Sequence, residues 1–105
     1  MACRLFILEE AEEVEIYSGE ISDIFLDKII VEAVKNNLIF LSSIDSCDDT
    51  IFNVEQLKEI KDELMSLESG SISDHSEFAI LLEAIDSTIN EGQSTYLRIS
   101  CYQSD

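Results

Sequence analysis

The stretch that decides the fold is residues 95–102, TYLRISCY. Leu97, Ile99 and Cys101 alternate there with polar or aromatic side chains, which is the two-residue period of a β-strand. Near the other end of the sequence, residues 4–8, RLFIL, form a short apolar run that predicts a buried strand. We expect these two segments to lie side by side in one small sheet.

A first helix is predicted over residues 22–35. Ser22 can cap its first turn, since a serine hydroxyl accepts hydrogen bonds from the free N–H groups of a helix start. Asn36 and Asn37 can end it, because asparagine tolerates the left-handed conformation that follows many helices. The arc of apolar residues is wide, so we expect the helix to pack on more than one side; it comprises Ile24, Phe25, Ile29, Ile30, Ala33 and Val34.

Two more helices are predicted in the second half of the chain. Asn53 and Gln56 have the spacing of a capping box, and one apolar stripe follows them, made of Leu57, Ile60, Leu64 and Leu67. The next helix is predicted to begin near residue 73 or 74 and to end before Gly92. Its buried face is expected to contain Phe78, Leu81, Leu82, Ile85 and Ile89.

Periodicity leaves two segments between these elements undecided. Residues 38–44 are a short apolar run, which suits either a strand or a packed loop. Residues 14–17 can extend into a second short strand before Gly19. The composition of residues 45–50, DSCDDT, indicates a turn or loop.

The order of elements is typical of an α+β fold. We expect residues 1–105 to form a single domain, with about three helices packed on a small, mainly antiparallel sheet that includes both terminal strands.

The charge is the most unusual property of the chain. Its 105 residues carry 23 Asp and Glu against six Lys and Arg, which gives a net charge of −17. The apolar fraction of 46% predicts a folded core rather than disorder. Solubility alone can explain such a charge, but a cationic partner explains it better, because a negative field steers basic proteins. Nucleic acid and anionic membranes are excluded as direct ligands, because both would be repelled.

The cysteines and the start of the sequence favour the cytoplasm. The three cysteines, Cys3, Cys47 and Cys101, are odd in number and lack zinc-ligand spacing, so neither a zinc site nor a disulfide framework is expected. Cys3 and Cys101 fall in predicted strands, where a buried thiol is the usual state. The apolar run before Glu9 and Glu10 is too short for a signal peptide or a membrane helix.

The sequence offers little for catalysis. His75 is the sole histidine, at a predicted helix start, and the acidic neighbours of Cys47 disfavour its thiolate form. No phosphate-binding glycine loop is present. We therefore expect no enzyme activity and no cofactor.

A metal site is not expected either. The loop after Ile44 supplies three carboxylates but fails the calcium-binding EF-hand pattern. Thr50 stands where that pattern requires glycine, and Gln56 stands where it requires glutamate.

Partner binding remains, and three acidic surfaces are candidates, of which the first two stand out: residues 9–15, residues 45–49, and the polar side of the second predicted helix with Glu55, Glu59, Asp62, Glu63 and Glu68. Each could simply be a solvated surface, but their joint presence with few cations favours a negative docking surface. Tyr17 and Phe52 lie beside them and are either aromatic anchors or core residues. The residues expected to bind a partner are Glu9, Glu10, Glu12, Glu13, Glu15, Asp45, Asp48 and Asp49.

Residues 44–56, IDSCDDTIFNVEQ, resemble a segment of small bacterial proteins. In those proteins a hydrophobic residue, Asp, a turn, Asp-Thr, an apolar residue and Phe-Asn precede an amphipathic helix, and the chain ends in an apolar strand. The likeness covers roughly the last two thirds of this chain. It departs at the end, where Tyr102-Gln103-Ser104-Asp105 replaces a frequent Gly-Asp.

The small bacterial proteins that share this pattern look like immunity proteins of polymorphic toxins or of contact-dependent growth inhibition toxins. The resemblance implies a cytoplasmic protein partner, with no catalysis and no cofactor. Joined to the charge, it leads us to expect an inhibitor of a cationic, nuclease-type toxin domain, either a monomer or a weak dimer. The alternative is an acidic secretion chaperone or adaptor that binds an effector protein through apolar helix faces.

Overall fold

A computed structural model describes residues 2–10, 14–44, 49–68 and 75–101. Within these residues the chain forms four strands and four helices. In chain order they are β1 (Ala2–Glu9), β2 (Val14–Ser22), α1 (Asp23–Lys35), α2 (Ile39–Ser42), β3 (Asp49–Asn53), α3 (Val54–Glu68), α4 (His75–Glu91) and β4 (Thr95–Ser100).

The four strands form one antiparallel sheet in the order β2-β1-β4-β3. The two terminal strands lie at its centre, where Leu5 stands opposite Ile99 and Ile7 opposite Leu97. The predicted α+β class is confirmed, including the pairing of both terminal strands in one sheet. Strands β2 and β3 are the edges.

One side of the sheet carries the core. Alternate residues of the strands point to the same side, and the helices bury them there. Each large apolar side chain removed from water contributes about 1.5–3 kcal/mol, so this single layer of contacts supplies most of the driving force. Its fully buried members include Leu5, Ile21, Leu97 and Ile99 from the strands and Leu26, Ile29, Leu57, Leu64, Leu81 and Ile85 from the helices.

The start of α1 is held by two partners. The Ser22 hydroxyl accepts a hydrogen bond from the Phe25 N–H at 3.1 Å, as the sequence predicts for a helix cap. The same hydroxyl and the Ser22 N–H donate to the Glu77 carboxylate at 2.9 and 2.7 Å. Because Glu77 belongs to α4, this network joins the beginnings of two helices. Asn37 follows α1 with a φ of 58°, as expected for the residue that ends it.

The predicted capping box of α3 is confirmed. The Asn53 N–H donates to Oε1 of Gln56 at 2.9 Å, and the Gln56 N–H donates to Oδ1 of Asn53 at 2.8 Å. Two N–H groups that the helix itself cannot satisfy thus find acceptors.

Residues 38–44 form neither the strand nor the loop considered for them. They contain the single-turn helix α2, whose first N–H groups need acceptors. The carboxylate of Glu63 in α3 accepts hydrogen bonds from the N–H groups of Phe40 and Leu41, at 3.3 and 2.9 Å. A partner more than twenty residues away decides this conformation, so local periodicity does not reveal it.

Strand β3 is a second departure from the sequence prediction. Asp49 and Thr50 were expected in a loop, but they begin an edge strand. The strand runs directly into α3, and its Phe52 is buried opposite Leu97 of β4.

The expectation that no disulfide forms is wrong. Cys3 and Cys101 are joined by one, with their Cα atoms 4.3 Å apart. They extend the register that places Arg4 opposite Ser100, so the antiparallel pairing of the terminal strands brings the two cysteines face to face. Both are buried, as expected from their strand positions.

Replacing Asn53 by alanine should lower the free energy of unfolding by about 1 kcal/mol, because the cap is lost while its N–H partners remain. Urea denaturation followed by circular dichroism measures the change. Asn90→Ala is the matched control, since Asn90 is exposed near the end of α4 and should lose no stability. Equal losses in both variants would contradict the role of the cap.

Reduction of the Cys3–Cys101 disulfide should lower the free energy of unfolding by about 2–5 kcal/mol, because the bond closes a long loop in the unfolded chain. The sequence separation of the two cysteines is 98 residues. Urea unfolding with and without a reductant measures the difference. A chain with both cysteines replaced by serine should show no response to the reductant. A wild-type protein that also shows none would contradict the bond.

Candidate functional site

The side of the sheet away from the helices is the candidate functional site. Its side chains alternate with those of the core, so they point away from the helix layer. We call this surface the open face, and its strand positions are Arg4, Phe6, Leu8, Glu15, Tyr17, Glu20, Asp49, Ile51, Asn53, Tyr96, Arg98 and Ser100.

A β-bulge decides which residues of β2 reach the open face. The register shifts between Leu5, which pairs with Gly19, and Phe6, which pairs with Tyr17. The extra residue reverses the alternation, so Ile21 points into the core while Tyr17 and Glu15 point outward. Gly19 makes this possible with a φ of +133°, a conformation that side chains with a Cβ rarely adopt.

The centre of the open face is an aromatic and cationic cluster. The rings of Phe6 and Tyr17 meet edge to face, with centroids 5.8 Å apart and an interplanar angle of 62°. The guanidinium carbon of Arg98 lies 4.8 Å from the Phe6 centroid, within the range of a cation–π contact. Arg98 also forms an ion pair with Glu15. These contacts join side chains of three neighbouring strands, β2, β1 and β4, in one arrangement.

Tyr96 and Glu10 extend this surface at one end of the sheet. The Tyr96 hydroxyl donates to Oε2 of Glu10 at 3.3 Å. The backbone N–H of Glu10 donates to the Ser94 carbonyl at 3.1 Å, which extends the pairing of β1 and β4 by one residue. Glu10 stays exposed, so a tyrosine and two carboxylates, those of Glu10 and Glu15, share one rim of the open face.

The structure divides the acidic residues that the sequence suggested for partner binding. Glu10 and Glu15 border the open face, whereas Glu9 follows the alternation of the core residues of β1 and lies on the helix side. Asp49 is on the open face but stands beside Ser100, five positions along β4 from the partner of Glu9. Five strand residues span about 17 Å, so Asp49 lies far from the described residues of the first acidic segment. The predicted Glu12, Glu13, Asp45 and Asp48 lie outside the described residues.

The two aromatic residues that were predicted to be either anchors or core differ in their exposure. Tyr17 is 56% exposed and belongs to the open face, whereas Phe52 is 3% exposed and belongs to the core. Tyr96 and Arg98 were not among the residues predicted to bind a partner. The alternation of residues 95–102 contains both, but it does not tell which of its two sides is buried.

The described residues contain no group of three or more His, Cys, Asp or Glu side chains that could hold a metal ion. The side chain of His75 and all of Cys47 lie outside what the structure describes. No helix in the described ranges is long and apolar enough to cross a membrane. Tyrosine and arginine are the side chains that most often supply the binding energy of protein interfaces.

Comparison of the chain with protein-family models, with curated proteins and with solved structures finds no match.

Replacing Tyr17 by alanine should cost about 1 kcal/mol of unfolding free energy or less, because the ring is mostly in solvent and loses one edge contact. Replacing Phe52 by alanine should cost about 3–5 kcal/mol, because it leaves a cavity in the core. Urea denaturation of both variants measures the contrast. A larger loss from Tyr17→Ala than from Phe52→Ala would contradict the assignment of the two rings.

Proposed function

We propose that the chain is an immunity protein that binds and neutralises a cognate cationic, nuclease-type toxin domain through its open face. One observation carries the proposal. On a chain of net charge −17, exposed Tyr17 and half-buried Tyr96 lie among the carboxylates of Glu10 and Glu15, on a sheet surface that faces away from the helices.

Charge gives the physical reason for the choice of partner. A nuclease carries a cationic active site because it must hold phosphates. An acidic domain is attracted to such a site, and complementary fields can raise association rates to about 10⁸–10⁹ M⁻¹s⁻¹ at low salt. The ion pairs on the surface, such as Lys58 with Glu55 and Lys61 with Asp86, leave the net charge of the chain unchanged.

The aromatic residues give the reason for the choice of surface. Charge steers encounter, but a long-lived complex needs side chains that become fully desolvated. Tyr17 and Tyr96 can supply that contact, with the carboxylates of Glu10 and Glu15 at the rim. Tyr17 already packs against Phe6, which in turn contacts Arg98. These side chains are therefore ordered before binding, so little of their conformational entropy remains to be lost when a complex forms.

The proposed function has a cellular consequence. An immunity protein against a nuclease acts in the cytoplasm, where the nucleic acid is, and this compartment keeps most thiols reduced. If the cell reduces the Cys3–Cys101 disulfide, the buried core must hold the open face in shape without it. No enzymatic step is part of this function.

The test requires a cationic nuclease-type toxin domain, and the first place to look for one is the C-terminal domain of any large secreted protein encoded beside this chain. Cells that express that domain should survive when they also produce this protein. The association rate of the two purified proteins should fall about tenfold or more from low to high salt, because salt screens the steering field. Cells that die despite abundant folded protein would contradict the proposal.

Variants of the open face locate the binding surface. Glu10→Gln combined with Glu15→Gln should slow association, whereas Tyr17→Ala should speed dissociation roughly fivefold or more, since an anchor residue is worth above about 1 kcal/mol. Glu83→Gln is the matched control, because Glu83 is an exposed carboxylate on α4 in the helix layer. If the control weakens binding as much as the open-face variants do, the surface is assigned wrongly.

A further inference from the structure

Helix α1 has an apolar side that nothing in the described structure covers. Its core side is formed by Phe25, Leu26, Ile29 and Ala33. On the opposite side Ile24, Val31 and Val34 are 66%, 51% and 61% exposed. Ile24 and Val31 are seven residues apart, which is two turns, so they lie on one line along the helix. Clustered exposed apolar side chains of this kind mark interaction sites.

The charges around this line are nearly balanced. A surface groove runs along it, lined by Ile24, Asp27, Lys28, Val31 and Glu32. Helix α1 carries two lysines against three carboxylates, whereas α4 carries four carboxylates and neither lysine nor arginine. Lys35 forms an ion pair with Glu32 at 3.5 Å. Lys28 has no ion-pair partner among the described residues, so it is available to a partner.

We propose that this side of α1 binds a second copy of the chain, with the two α1 helices antiparallel about a twofold axis between Asp27 and Lys28. In this register Ile24 of each copy meets Val31 of the other, and Asp27 of each meets Lys28 of the other. A twofold contact repeats every pair, so the interface contains two apolar pairs and two ion pairs. The same register brings Asp23 toward Glu32 of the other copy. The charge of Glu32 is already offset by its ion pair with Lys35.

The overall charge explains why the second copy would choose α1. Two chains of net charge −17 repel each other, and the repulsion is least where cations interrupt the carboxylates. A helix pair about 20 Å long offers less contact than a standard interface of about 1,200–2,000 Å². The dimer should therefore be weak and concentration-dependent.

Sedimentation equilibrium of the purified chain tests this proposal independently of any toxin. Average mass should rise with protein concentration, and the dimer should become tighter at high salt, because salt screens the repulsion between the two copies. This salt response is opposite to that expected for toxin binding. A monomeric mass at every concentration and salt level would overturn the proposal, even if the toxin still binds.

Charge variants test the register. Lys28→Asp should weaken the dimer about tenfold or more, because it places a carboxylate instead of an ammonium group against Asp27 of the other copy, at both symmetry-related contacts. Lys58→Asp changes the net charge equally but lies on α3, so it should weaken the dimer much less. The double variant Asp27→Lys with Lys28→Asp exchanges the two charges and should restore wild-type association. Circular dichroism checks that each variant is folded. Equal effects of Lys28→Asp and Lys58→Asp, or no recovery in the double variant, would overturn the proposed register and surface.

Discussion

Strands β1 and β4 lie side by side at the centre of the sheet although they come from opposite ends of the described chain. Bringing such distant segments together costs loop-closure entropy before any contact repays it. The buried pairs Leu5 with Ile99 and Ile7 with Leu97 offset that cost, and the Cys3–Cys101 disulfide adds a covalent link beside them. Strands β2 and β3 and the three long helices take their positions from this central pair.

The central pair also determines which surface is left for a partner. Because the helices cover only one side of the sheet, the alternate residues of β1 and β4 form a wide surface on the other. The bulge at Gly19 then adds Tyr17 and Glu15 to that surface. The core and the proposed binding surface are thus two sides of the same strands. A shift of one residue in the register of these strands would turn their core side chains toward the open face and their open-face side chains into the core.

Local signals in the sequence predicted much of the fold. Ser22 and the Asn53–Gln56 pair marked helix starts correctly, because a cap depends on residues three positions apart. Helix α2 was not predicted because Glu63 supplies its cap from a distant helix. Strand β3 is short and follows an acidic stretch of sequence, so the pattern there resembled a turn. The disulfide was missed because an odd cysteine count does not reveal which two cysteines a sheet register will join.

The site was harder to predict than the fold. Acidic residues that are neighbours in the sequence look like one patch. In the structure, however, Glu9 lies on the helix side of the sheet, whereas Glu10 borders the open face. The most direct measurement of the central claim is a titration of the isotope-labelled chain with the basic toxin domain, followed by NMR chemical shifts. The largest changes should fall on Phe6, Tyr17, Tyr96 and Arg98, with small changes on the exposed side of α4. Changes confined to the helix layer would contradict the claim that the open face binds the toxin.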